Sequence, residues 1–222
     1  MREEFVPAAA PDVTIGRIYG GLNASDREEA RRTRLLTAIH DIVGSQGYAA
    51  LTVERACTRA NVSTRNFYEL YENKEAAFAD CYQVLLERSG QRVVDSLTAT
   101  DGQPMSERIP AAMLAFLKPM FADGRAAQIA FVEVVGLSPR IEETRVRTRE
   151  RLIELIMSEG AAAAARGEVA DRDFRFAALA IIGSTTTIAY DWMLHKDRRP
   201  LRDLERRLSD LAVQMLGVRA AP

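Results

Sequence analysis

Thr64, Arg65, Asn66 and Tyr68 put a hydroxyl, a guanidinium, an amide and a phenol within one short stretch of the chain. Each suits hydrogen bonding to nucleic acid. Arginine grips guanine O6 and N7 in a major groove, which makes Arg65 the leading candidate for base reading. Thr64 and Asn66 add contacts to bases or phosphates, and Tyr68, one turn below Thr64, reaches a phosphate or a thymine methyl. Thr52 and Lys74 stand at the starts of flanking helices, where amide ends and a cation suit phosphate. Ser63, immediately before the reading stretch, completes the set.

Two short helices joined by a tight turn must position these groups. Thr52 N-caps the first, and Val53, Ala56, Cys57 and Ala60 follow at the spacing of one apolar helix face. Asn61 ends it, because a tight helix exit needs a left-handed residue and Asn accepts that backbone next best after Gly. Ser63 caps the second helix, and Val62 and Phe67 are placed to form a hydrophobic staple. Phe67, Leu70 and Tyr71 share the buried face, which turns Thr64, Arg65 and Tyr68 outward. In a helix-turn-helix the second helix presents its N-terminal residues to base edges.

The string Ala60-Asn61-Val62-Ser63, followed by Phe67-Tyr68, Tyr71 and Lys74-Glu75, resembles the DNA-binding signature of the TetR family of transcriptional regulators. That pattern runs Thr-Val, Ala-Gly-Val-Ser, Thr-Phe-Tyr, His-Phe, Lys-Glu. The chain departs from it with Asn61 for Gly, Asn66 for Thr, Leu70 for His, and Ala56-Cys57 where Ile-Ala is common. Leu70 offers no polar group where the family has one. The resemblance implies an all-α fold, with a three-helix DNA-binding head and a larger helical body for ligand binding and dimerisation. It implies a homodimer on a palindromic operator in double-stranded DNA, most often a repressor, released by a small effector housed among the body helices.

Composition is compatible with this. The chain has 222 residues and a formal net charge of −1, which argues against binding nucleic acid by bulk charge but not against a local reading patch. Cys57 and Cys81 lie within predicted helices and read as small buried apolar residues of a reduced, cytoplasmic protein. No apolar run approaches membrane-spanning length, so no membrane association is expected, and the N-terminus lacks a signal-peptide core.

Three regions are expected. Residues 1–24, rich in Ala, Pro and Gly, read as a flexible arm or plain tail, with Arg17 its candidate for a minor-groove contact. Residues 25–73 form the DNA-binding domain. A capping box at Ser25-Asp26-Arg27-Glu28 opens its first helix, which Gly44 and Gly47 end. Residues 74–222 form the ligand-binding and dimerisation domain, opening with a helix capped by Asn73 that runs to about Leu97 and serves as a lever. Further helices are predicted over about 105–121, bent at Pro119, then 125–137, 140–165, from a cap at Asp171 or Asp173 to about Trp192, and from Pro200 to Gly217.

In the body, Leu201, Leu204, Leu208, Leu211, Met215 and Val218 alternate three and four apart, as a heptad seam does. The preceding helix is apolar nearly all round, with Leu179 and Ile182 among its apolar residues. The expected dimer interface is therefore Leu179, Ile182, Leu204, Leu208, Leu211 and Met215, packed with a second copy; the other reading is monomer core. A small, largely apolar effector is expected against Met113, Phe116, Met120, Phe131 and Met157, with Thr187 lending a hydroxyl. Glu133, alone in an apolar run, either faces solvent or anchors a polar group of the ligand.

His40 and His195 are far apart, no Cys/His cluster has metal-ligand spacing, and no phosphate-cradling loop or nucleophile elbow occurs. No metal, cofactor or catalytic residue is expected, and the chain reads as a non-enzyme. The alternative function is a helical carrier or sensor of apolar small molecules without a DNA role.

Overall fold

The computed structural model describes residues 24–195 and 200–218. The N-terminal arm and Arg17 lie outside them. The regular structure of the described residues is all helical, with no strand among them. The helices are α1 (Ala24–Gln46), α2 (Val53–Ala60), α3 (Thr64–Leu70), α4 (Lys74–Ala99), α5 (Met105–Phe121), a single turn α6 (Arg125–Ala127), α7 (Pro139–Ala165), α8 (Phe174–Leu194) and α9 (Leu201–Leu216). A 3₁₀ turn, Tyr48–Ala50, links α1 to α2, and a π-helical stretch, Gln128–Glu133, continues α6.

Four of the predicted caps form, whereas Ser25 does not open α1: the helix already includes Ala24, so Ser25 lies inside it. Thr52, Ser63 and Asn73 each accept a hydrogen bond from the backbone N–H three residues on, and Asp173 rather than Asp171 caps α8. Such caps satisfy donors that a helix start leaves without partners, each contributing about 1 kcal/mol. Gly44 does not end α1. It lies inside the helix where Arg125 approaches, so close that a Cβ there would stand 2.5 Å from that of Arg125. Gly47, at φ 81°, makes the exit. Pro119 sits within α5, which runs on to Phe121. The segment expected as one helix over 125–137 instead widens into π-helical turns, which are uncommon and tend to occur at functional sites.

The core explains how the parts hold together. Leu35, Ile39 and Val43 of α1, Phe67 of α3 and Phe78 of α4 are fully buried in one cluster that continues into Leu117, Met120, Ile129 and Leu208 of the body. A second, smaller cluster at the far end joins Met105 and Ile109 to Phe174, Ile181, Ala212 and Leu216. α5 packs against both α4 and α9, and α7 against α8.

Candidate nucleic-acid interface and effector cavity

The turn between α2 and α3 has the geometry that its residues predict. Asn61 adopts φ 51° and ψ 51°, left-handed backbone, and the Val62 N–H returns to the Cys57 carbonyl at 3.0 Å. Phe67 is fully buried, with Val62 and Tyr71 also in the core. Thr64, Arg65 and Tyr68 consequently face solvent, the Arg65 side chain 88% exposed and Tyr68 57% exposed. Arg65 is held only by an exposed contact to Glu69 at 3.3 Å, too weak to keep it from a base. Asn66 is half-buried, while Thr52 and Ser63 are exposed at their helix starts.

Lys74 is more committed than expected. Its Nζ donates to the Leu51 carbonyl at 2.9 Å and lies 4.9 Å from the centroid of the Tyr48 ring, so it ties α4 to the turn before α2. A second clamp surrounds Asp80, which receives both Arg32 Nε (2.8 Å) and Arg32 Nη2 (2.6 Å) and the Tyr71 hydroxyl (2.6 Å). Burial and the bond to Asp80 push the Tyr71 phenol well above its ordinary range. This clamp locks the end of α3 to α1 and α4.

Two further polar contacts join the head to the segment that begins at α6. One oxygen of Asp41 receives Arg59 of α2 at 2.8 Å, and the other receives Arg125 of α6 at 2.7 Å. Burial works against the Asp41 charge, but the two arginines prevail and hold its carboxyl below the ordinary value. Glu133, at the end of the π-helical stretch, accepts the Tyr48 N–H at 2.8 Å through Oε2 and the Gln128 amide at 2.8 Å through Oε1. This corrects the reading of Glu133 as a pocket anchor. It caps the 3₁₀ turn leading into the helix-turn-helix.

The body holds a cavity of about 490 Å³ bounded by α4, α5, the π-helical stretch, α7, α8 and α9. Of the expected lining, Met113, Phe116, Met120, Phe131 and Thr187 border it. Met157 does not; it is exposed on the solvent side of α7. The sequence reading missed the contributions of α4 and α7: Tyr82, Leu86 and Leu97 from one, Arg145, Thr148, Arg149, Leu152 and Glu159 from the other. The charged residues of α7 mask this side in the sequence, because their polar ends read as solvent-facing. Glu159 is met by the buried Arg108 at 2.9 Å, while Arg145 pairs with Glu142 at 2.6 Å. Burial pushes the Tyr82 phenol up to about 12, so it stays protonated beside the cavity. An aromatic ladder backs one wall: Trp192 stands edge-on to Phe121 (5.0 Å), Phe121 stacks on Phe131 (5.9 Å), and Phe131 meets Phe116 edge-on (6.4 Å). A broader cleft of about 710 Å³ beside Tyr71, Asp80, Arg140 and Arg147 is walled mainly by polar groups.

The outer faces of α8 and α9 correct part of the expected interface. Leu204 and Leu208 are buried within the single chain, in the core cluster that includes Leu117, and have no surface left for a second copy. Leu179 and Met215 are exposed, and Ile182 and Leu211 half-buried. Phe176, which the sequence reading passed over, is 76% exposed, and Leu194 joins it.

A helix-turn-helix on a helical body with a largely apolar cavity defines the two-part architecture of helical transcriptional regulators. The model of the tetracyclin repressor-like C-terminal domain matches residues 102–216, over half of the chain. The chain belongs to the TetR family of transcriptional regulators. Its fold is similar to that of the fatty acid degradation regulator FadR from Bacillus halodurans, at 16% identity and a TM-score of 0.72, covering 84% of this chain and 99% of that one. FadR from Bacillus subtilis in complex with stearoyl-CoA is similar at 16% identity and TM-score 0.72, covering 82% and 98%. A transcriptional regulator from Rhodococcus sp. Rha1 is similar at 22% identity and TM-score 0.71, covering 86% and 99%. No curated protein matches the chain.

Proposed function

We propose that this protein is a homodimeric regulator that reads a palindromic operator with α3 and loses its grip when the body cavity takes up an effector. The observation that carries the reading is the exposed Thr64–Arg65–Tyr68 face, held by a buried Phe67 and tied through Glu133 to a segment that also lines the cavity. Arg65 reads a guanine. Thr64, Asn66 and Tyr68 add base or phosphate contacts, and the capped helix starts at Thr52 and Ser63 meet phosphates. The dimer face is the exposed side of α8 with Leu211 and Met215 of α9. Such a protein works in the cytoplasm, as a repressor and without catalysis.

The effector is an elongated, largely apolar molecule with an anionic end. The lining of α7 from Arg145 to Glu159 spans about 21 Å at the helical rise, apolar in its middle and basic at the end with Arg145 and Arg149. The Bacillus subtilis relative in complex with stearoyl-CoA points to the same class. An effector that moves Ala130 and Phe131 acts on Glu133 and on Arg125, and so on the Tyr48 turn and on Asp41–Arg59 of the head. α4, bordering the cavity at its far end and carrying Lys74 at its start, is a second route. Release follows if the effector binds more tightly to the arrangement with misaligned heads; such couplings are typically about 1–3 kcal/mol.

The test is selection of bound sequences from random duplex DNA by the purified protein, repeated with Arg65→Ala. A palindromic motif that loses one base preference in the variant supports dimeric reading. Enrichment of nothing would favour a carrier of apolar molecules.

A further inference from the structure

We infer that the effector carries a second polar group, a hydroxyl at the far end of its apolar chain, and that Glu159, positioned by Arg108, selects it. This rests on the elongated, anionic effector proposed above and names its other end. The cavity is polar at both ends of α7. Arg145 and Arg149 stand at one end, and Glu159, the last residue of α7 to border the cavity, stands at the other. Around Glu159 the wall is apolar, built of Leu97, Met105, Ile109, Ala212 and Leu216. A carboxylate among aliphatic side chains is costly unless a partner answers it.

Arg108 answers one oxygen only. Its side chain is 5% exposed, and its Nη2 meets Glu159 Oε2 at 2.9 Å and reaches the Leu97 carbonyl at 3.3 Å. The fit is incomplete, because Arg108 Nε and Glu159 Oε2 are both buried without a well-directed hydrogen bond. The Glu159 side chain keeps 22% of its surface exposed. Its Oε1 is not buried and has no hydrogen-bond partner among the described residues. A buried ion pair of imperfect geometry is a poor device for stability, since an apolar pair of similar volume does as well or better. A carboxylate oxygen left unpaired at the end of an apolar cavity is suited to recognition instead. The group that fits it is a neutral donor. Glu159 and Arg108 together carry no net charge, so an ammonium would meet the repulsion of the arginine along with the attraction of the carboxylate. A hydroxyl donates one proton and brings no charge. A methyl terminus strips water from Oε1 and returns nothing. Sites built to hydrogen-bond a hydroxyl reject the analogue that lacks it far more strongly than apolar pockets reject one that carries it.

The test compares saturated fatty acids, from dodecanoate to octadecanoate, with their ω-hydroxy counterparts. Binding to the purified full chain is measured by calorimetry below the concentrations at which the acids form micelles. At the chain length that spans the cavity, the hydroxy acid is expected to bind roughly tenfold tighter, the effect of one net hydrogen bond to a charged group. The Arg108→Met, Glu159→Leu double variant removes the pair without opening a large void. It is expected to stay folded by circular dichroism, to bind the plain acids at least as well as the parent, and to lose the preference. Equal affinities for plain and hydroxy acids in the parent protein at every length overturn the inference and leave the anionic, apolar effector standing. Failure of both series to bind overturns that reading and the inference with it. A preference that survives in the double variant overturns the role of Glu159. If the double variant does not fold, Glu159→Gln, which keeps an oxygen acceptor without the charge, is expected to shrink the preference, and an unchanged preference there counts against Glu159 in the same way.

Discussion

Among the described residues Asn61 is the one non-glycine in left-handed backbone, at φ 51°. Replacing it with Gly keeps the turn, whereas Asn61→Val is expected to lower unfolding free energy by about 1–2 kcal/mol, read from urea midpoints. The residues at this scale that are legible in the sequence share one trait: their partners lie within five positions. Thr52, Ser63 and Asn73 cap their own helices, and Phe67 staples to Val62. Asp41, Glu133 and Arg32 have partners 18 to 85 residues away, and nothing in local spacing marks them. Asp41 also gives a pH prediction. Its carboxyl titrates below the unfolded value of 3.8, so its contribution is present above that pH and is lost as acid takes the protein down through the folded value. Asp41→Asn is expected to flatten the stability–pH curve below about pH 4, near the unfolded carboxyl range, in acid titrations followed by circular dichroism.

At the scale of elements, most helix boundaries follow from caps and glycines, Ser25 and Gly44 of α1 excepted, but the role of a helix face does not. α9 carries apolar residues at heptad spacing, yet Leu204 and Leu208 turn to α5 and the core while Met215 turns outward. Periodicity identifies an apolar face and says nothing about which neighbour covers it. The charged pattern of α7 hid its cavity side for the same reason, since arginine stems lie along apolar surface while their heads reach water. The sequence pattern predicts ordinary helix over the π-helical stretch because hydrogen-bond register leaves no trace in composition. Its junction with the head is testable. Glu133→Ala strips the Tyr48 amide of its acceptor and is expected to cost about 1–3 kcal/mol, with Glu133→Gln restoring most of it. If an operator and effector are in hand, the alanine variant should also show a smaller effector-induced change in DNA affinity, measured by fluorescence anisotropy.

For the whole molecule, one buried cluster runs from α1 through the body, so head and body are expected to unfold in a single transition rather than two, by calorimetry. The midpoint should rise with protein concentration because dimerisation favours the folded state, and that dependence should vanish in a Phe176→Asp, Leu194→Asp variant. The aromatic ladder carries a consequence of another kind. The chain has one tryptophan, and it is Trp192, on the helix that exposes Phe176 and Leu194 and one phenylalanine removed from Phe131 at the cavity wall. The molecule is thus its own optical instrument: the colour and polarisation of a single indole report on cavity and subunit contact together, with no label attached.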